Sequence, residues 1–167
     1  MALLKFHGMK KKDKIDSYIY KLLAVKDYSK REIGEKLKNK FQAADFEIDE
    51  IVFDLENKGY IDDERLAKHI AEYKTKMLYG PKKIEEIFYR KGLKEYTAYI
   101  YEEFDKNIDF IKKSLIEKIK KRYNSLLYKN DLKLYEKLLQ YLLNRGYDYD
   151  FSREIVLEVI KNEGNLS

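Results

Sequence analysis

Apolar residues recur along this chain at helical spacing, and each run is closed by polar residues carrying helix stop or start signals. Ile15, Ile19, Leu22 and Leu23 form one stripe; Ile33 and Leu37 begin a second; Ile48, Ile51, Val52 and Leu55 form a third. Leu66, Ala67 and Ile70 follow, then Ile84, Ile87 and Phe88. Ile108, Ile111, Leu115 and Ile119 keep the helical period closely, as do Leu134, Leu138 and Leu142. Ile155, Val156 and Val159 make the last stripe.

The punctuation is equally regular. LENKGY (55–60), FYRKGL (88–93) and LLNRGY (142–147) each place a basic residue before a glycine and an apolar or aromatic residue after it. Gly59, Gly92 and Gly146 are therefore expected to end helices in the left-handed conformation that a Cβ disfavours. Tyr60, Leu93 and Tyr147 would fold back on Leu55, Phe88 and Leu142, the hydrophobic contact of a Schellman motif. Lys58, Lys91 and Arg145 complement the negative helix ends. Among helix starts, Ser29-Lys-Arg-Glu32 reads as a capping box and Gly80-Pro81 puts proline at a first helical position. Asp131 and Ser152 are expected as caps of later helices.

These signals predict an all-α protein of about nine helices. They fall into three tandem three-helix modules: 14–61, 62–105 and 106–167, after an N-terminal tail of residues 1–13. A triplet of about 45 residues is small for independent stability, so neighbouring modules should stack into an elongated, curved, repeat-like arrangement.

Composition agrees and excludes much else. Charged residues make up 39% of the 167 residues, with one proline and seven glycines, a balance that favours helices. With no cysteine, disulfide scaffolds and thiolate metal sites are excluded, which fits a cytoplasmic location. No uncharged stretch approaches the ~20 residues of a membrane span. The apolar run in MALLKFHGMKKKDK is too short for a signal peptide, and its charges follow that run. There is no P-loop, dinucleotide fingerprint or nucleophile motif, so neither a cofactor nor an enzymatic activity is expected.

The adjacent Asp62 and Asp63 are the strongest chemical candidates. They stand between the helix ending at Gly59 and the stripe at Leu66, so Asp62 would cap the new helix, with Asp63 and Glu64 in its first turn. A catalytic pair would need a positioned nucleophile or a perturbing neighbour, and a metal site more ligands at defined spacing. Beyond His69 three residues before Glu72, no such partner is visible. Capping is the expected role.

The same segment carries a family resemblance. Gly59-Tyr60-Ile61-Asp62-Asp63-Glu64-Arg65-Leu66-Ala67, then Tyr79-Gly80-Pro81-Lys82-Lys83-Ile84, then Arg90-Lys91-Gly92-Leu93 resembles the central module of the RecX family. LLAVKDYSKREIGEKL (22–37) resembles the family's first module and LLNRGYDYD (142–150) its third. Four positions depart from the pattern. Leu66 replaces an aromatic, Leu78 a frequent glycine, Lys26 a common arginine, and Lys40-Phe41 lacks the glycine that often ends the second helix. The resemblance implies three three-helix modules and no catalysis. It further implies binding to the RecA recombinase and its filament on single-stranded DNA. Filament growth, ATP hydrolysis and strand exchange would be inhibited, which would modulate recombinational repair and the SOS response. On that reading Asp62, Asp63, Arg65, Tyr79, Lys82, Lys83, Tyr89, Arg90 and Lys91 are partner-binding candidates.

Charge adds a further pattern. Net charge is +5, which suits an acidic partner. Residues 45–64 carry nine acids and only Lys58 as a base, whereas 112–122 carry six bases and only Glu117 as an acid. These are solvated faces, a cross-module attraction, or functional surfaces. In the last case Lys112, Lys113, Lys118, Lys120, Lys121, Arg122 and Arg145 would face single- or double-stranded DNA, and the acidic stretch would meet basic protein surface. Tyr89 and Lys82 are expected on one face of the 81–91 helix. Tyr73, Tyr79 and Tyr89 can stack on bases or anchor an interface, but rings that cover core with wet hydroxyls are the expectation. The competing function is a basic helical protein that competes directly for DNA. A monomer is expected, with no membrane partner.

Overall fold

The computed structural model describes residues 11–128 and 132–164. Among them are nine α-helices and no strand. The helices are α1 (Lys11–Leu23), α2 (Lys30–Phe41), α3 (Asp45–Asn57), α4 (Asp63–Lys76), α5 (Pro81–Lys91), α6 (Ala98–Lys106), α7 (Ile108–Tyr128), α8 (Leu134–Asn144) and α9 (Tyr149–Gly164), with a 3-10 turn at Lys94–Tyr96. α1 begins inside the expected N-terminal tail, whose first ten residues lie outside the described residues.

Local chemistry accounts for most boundaries. Ser29 Oγ accepts the Glu32 N–H at 3.2 Å and the Glu32 carboxylate accepts the Ser29 N–H at 3.0 Å, the reciprocal capping box. At α3 only the return arm forms, from the Ala44 N–H to Glu47 at 3.0 Å, because Ala44 has no side-chain oxygen. Asp62 caps α4, its Oδ1 accepting the Arg65 N–H at 2.8 Å. The expected cap Ser152 is a correction. Asp148 caps α9 instead, accepting the Phe151 N–H at 2.8 Å, while the buried Ser152 hydroxyl sits inside the helix without a hydrogen bond. A carboxylate meets the positive helix end better than a hydroxyl, and it stands just before α9. Asp131 lies outside the described residues, and Lys133 at the start of α8 makes no side-chain cap.

Gly59, Gly92 and Gly146 all adopt positive φ, at 71°, 76° and 89°. Paired bonds from Gly59 to Glu56 O and from Tyr60 to Leu55 O make a Schellman motif after α3, and Gly146 and Tyr147 repeat it on Leu143 and Leu142 after α8. Leu93 and Tyr147 are buried as expected. Tyr60 is not: it stays 47% exposed and packs edge-on against Tyr20, and burial falls to Ile61. Among the described residues, two non-glycine residues also take positive φ, Gln42 at 50° and Leu78 at 59°. These explain two of the departures from the family pattern: both helix ends turn left-handed without the glycine that relieves the strain.

The chain divides into two compact units, Met1–Leu66 with Lys91–Leu93, and Ala67–Arg90 with Lys94–Ser167. The first buries Ile15 and Ile19 of α1, Ile33 and Leu37 of α2 and Leu55 of α3 together with Tyr28, Ala43 and Ile61. The second has a core of Ile111, Leu115, Ile119 and Tyr123 from α7, Leu138 and Leu142 from α8, and Ile155, Val156 and Val159 from α9, joined by Leu78 and Tyr147. These are the apolar stripes of the sequence.

Candidate functional site

The Asp62–Asp63 segment is a joint between helices. Asp62 caps its own helix and is exposed. Asp63 is only 6% exposed, and its Oδ1 accepts the Lys30 N–H, the first of α2, at 3.0 Å. It thus fills the anion-binding position of another helix's N-terminus. Lys30 Nζ pairs with Glu56 at 2.6 Å and Arg65 reaches Asp27 at 3.6 Å. No group of three or more His, Cys, Asp or Glu among the described residues is placed to hold a metal ion. The arrangement orders backbone, and it has the chemistry of caps.

Lys91 joins the same neighbourhood. Its ammonium reaches the capping-box residue Glu32 at 2.7 Å, with both side chains about one-fifth exposed. Burial opposes ionisation of Glu32, but the Lys91 hydrogen bond, the Ser29 N–H and the charges of Lys91 and Lys26 together hold its carboxyl below the ordinary 4.5.

On α5, Lys82, Lys83, Glu85, Glu86, Tyr89 and Arg90 line one shallow depression of about 510 Å³. Lys82 and Tyr89 share a face, as their seven-residue separation predicts. Tyr89 is 67% exposed, which corrects the expectation that its ring covers core. Lys83 pairs with Glu86 at 2.6 Å, and the Tyr101 hydroxyl donates to Glu85 at 2.6 Å. Tyr73 is likewise exposed, with Lys74 over its ring. Tyr79 is half-buried between Lys74 and Arg145, whose cations lie 5.3 and 4.9 Å from its ring centre. Of the partner-binding candidates, Lys82, Lys83, Tyr89 and Arg90 therefore come together at the surface. Asp62, Asp63 and Lys91 hold helix ends.

The six bases of α7 do not act alike. Lys112 pairs with Glu154 at 2.8 Å and Lys120 with Glu163 at 2.7 Å, both acids on α9. Arg122 lies over the Tyr141 ring at 4.8 Å. Lys113, Lys118 and Lys121 are exposed and make no ion pair among the described residues. Arg145 has a structural post: its guanidinium donates to Leu78 O at 2.7 Å and to Met77 O, tying the end of α4 to the end of α8. Within the acidic stretch, Glu47, Glu56, Asp45 and Asp54 pair with Lys11, Lys30, Lys38 and Lys58.

Two features escape sequence reasoning. Phe46 and Phe53 of α3 are 68% and 66% exposed, on the face opposite the core stripe; their seven-residue separation was the available signal. The backbones of Gly80 and Gly146 meet so closely that a Cβ on either would lie 2.4 Å from the other segment's backbone. Gly80 N–H donates to Arg145 O at 2.7 Å and Lys82 N–H to Gly146 O at 3.1 Å, so the start of α5 receives the carbonyl end of α8.

No protein-family model matches the chain. Among curated proteins, it is similar to the regulatory protein RecX of Acinetobacter baylyi, with 31% identity over 137 residues and 82% of each chain covered. It is 28% identical to the regulatory protein RecX of Clostridioides difficile, covering 83% of this chain but 65% of that one. The crystal structure of RecX from Lactobacillus salivarius superposes with a TM-score of 0.70 at 20% identity, over 88% of this chain and 95% of the other. A second regulatory protein RecX structure gives a TM-score of 0.63 at 23% identity, over 96% and 81%.

Proposed function

The chain belongs to the RecX family, and we propose that it regulates the RecA recombinase, binding RecA and its filament on single-stranded DNA. On this reading it restrains filament growth, ATP hydrolysis and strand exchange, and so modulates recombinational repair and the SOS response. It acts by binding and not by catalysis. The observation that carries the reading is relatedness through the length of the chain: 82% of this protein and 82% of a regulatory relative align, rather than one shared motif.

The exposed α5 face supports a contact role. Lys82, Tyr89 and Arg90 put a large amphipathic ring and two cations along one depression, residue types suited to protein interfaces. Three three-helix modules, at 14–61, 62–105 and 106–167, would give the protein several weak contacts used at once.

A second reading is direct competition for DNA. Lys113, Lys118 and Lys121 favour it, since they are exposed and without ion pairs among the described residues. Stoichiometry separates the two. DNA-dependent ATP hydrolysis by RecA of the same organism is titrated with this protein. Suppression at far fewer copies than RecA protomers supports the regulator. Suppression only at amounts that coat the DNA supports competition, and no suppression overturns both.

A further inference from the structure

α3 carries two apolar faces, and the fold uses one. Leu55 is buried in the first unit's core, with Ile48, Ile51 and Val52 packed against it. Phe46 and Phe53 project from the opposite side, two turns apart on one stripe and 68% and 66% exposed. Asp49 and Glu50 lie between them on that stripe. Both carboxylates are exposed and make no ion pair among the described residues, whereas Asp45, Glu47, Asp54 and Glu56 of the same helix are all paired with lysines. On α3, the carboxylates without an ion pair among the described residues thus lie on the aromatic stripe.

We propose that this face of α3 docks a basic protein surface, with Phe46 and Phe53 as anchors and Asp49 and Glu50 as the charges that orient it. Aromatic side chains dominate interface energetics because they bury large area with few rotatable bonds. The two carboxylates complement Lys and Arg on the partner and repel phosphate, so the occupant is protein and not DNA. The inference deepens the reading of the chain as a RecA regulator and rests on it: the recombinase would offer the basic surface.

The test uses the full chain in the ATP hydrolysis titration, with Phe46→Ser/Phe53→Ser and Asp49→Lys/Glu50→Lys as separate double variants. Removing both anchors should raise the half-suppressing concentration about tenfold or more. Charge reversal should raise it at low salt and much less at high salt, because screening removes the attraction. Thermal midpoints should stay at the wild-type value, since all four side chains are exposed. Should the serine variant lose its fold, charge reversal alone decides. Variants that suppress at wild-type concentrations overturn the docking surface and leave the regulator standing. A wild-type protein that suppresses nothing overturns the regulator, and the docking surface with it.

Discussion

Asp63 is the first residue of α4, yet its carboxylate caps α2, accepting the Lys30 N–H at 3.0 Å from a position only 6% exposed. Its neighbour Asp62 caps α4 itself. Adjacent carboxylates thus satisfy two helix starts within the first unit. Asp63→Ala should destabilise by about 2 kcal/mol and Asp62→Ala by about 1, because the first also leaves a half-buried N–H unsatisfied. Asp63→Asn keeps an acceptor and should recover most of the loss. Urea unfolding checks this; equal losses at the two positions would refute the special role of Asp63.

Leu78 combines a strained backbone with a useful side chain. Its φ is +59°, and the side chain is 4% exposed in the core of α7, α8 and α9. Leu78→Ala loses the packing and keeps the strain, whereas Leu78→Gly loses the packing and relieves it. The glycine variant should therefore be more stable than the alanine variant by about 1 kcal/mol, although both fall below wild type. Thermal or urea unfolding of the three proteins gives the order directly.

Gly59, Gly80 and Gly146 predict unequal sensitivity to alanine. A Cβ at Gly59 would meet nothing within 4 Å, so Gly59→Ala should cost only its backbone strain, about 1 kcal/mol. At Gly146 it would lie 2.4 Å from Lys83 N, and at Gly80 2.4 Å from Gly146 C, both rigid backbone atoms. Gly80→Ala and Gly146→Ala should each destabilise by several kcal/mol, in the range reserved for steric failure of a packed joint (~3 or more). Comparable losses at all three positions would contradict the close approach.

The Glu32–Lys91 pair predicts a pH dependence. The folded-state pKa of Glu32 lies below its ordinary 4.5, so its contribution is fully present above that value and is lost as pH falls through the lowered pKa. Glu32→Gln should be less stable than wild type at neutral pH, and the gap should shrink as pH drops below 4.5. Denaturant midpoints across that window test the sign.

Salt dependence tests the basic helix. If DNA is bound through α7, neutralising Lys113, Lys118 and Lys121 together should lower the slope of log affinity against log salt by about 2 on single strands, at ~0.7 per lost contact. Neutralising Lys112 and Lys120 should change it less, because those cations already face Glu154 and Glu163. Fluorescence anisotropy with a labelled oligonucleotide over a salt series gives both slopes.

Most helices were legible because their determinants are local. The period of Ile111, Leu115 and Ile119, the Ser29–Glu32 box and the positive-φ glycines each lie within a few residues of sequence. Ser152 misled because a Ser near a predicted start looks like a cap, while Asp148 stood just ahead of the helix with the stronger acceptor. Tyr89 misled because a tyrosine on an amphipathic helix reads alike whether its ring faces core or water.

The candidate surface was less legible than the fold, because exposure and pairing depend on residues distant in sequence. Six bases between 112 and 122 look equivalent as a string, yet α9 takes Lys112 and Lys120 and leaves Lys113, Lys118 and Lys121 outward. Arg145 reads as a surface cation until the carbonyls of Met77 and Leu78 are found beneath it. By itself, then, the sequence determined an all-helical chain, where most of its helices stop, and its family pattern, because periodicity and caps act over one or two turns. Only the tertiary structure decided which charges were already neutralised, which aspartate capped a foreign helix, and which aromatic rings were left in water, because those outcomes are set by partners tens of residues away.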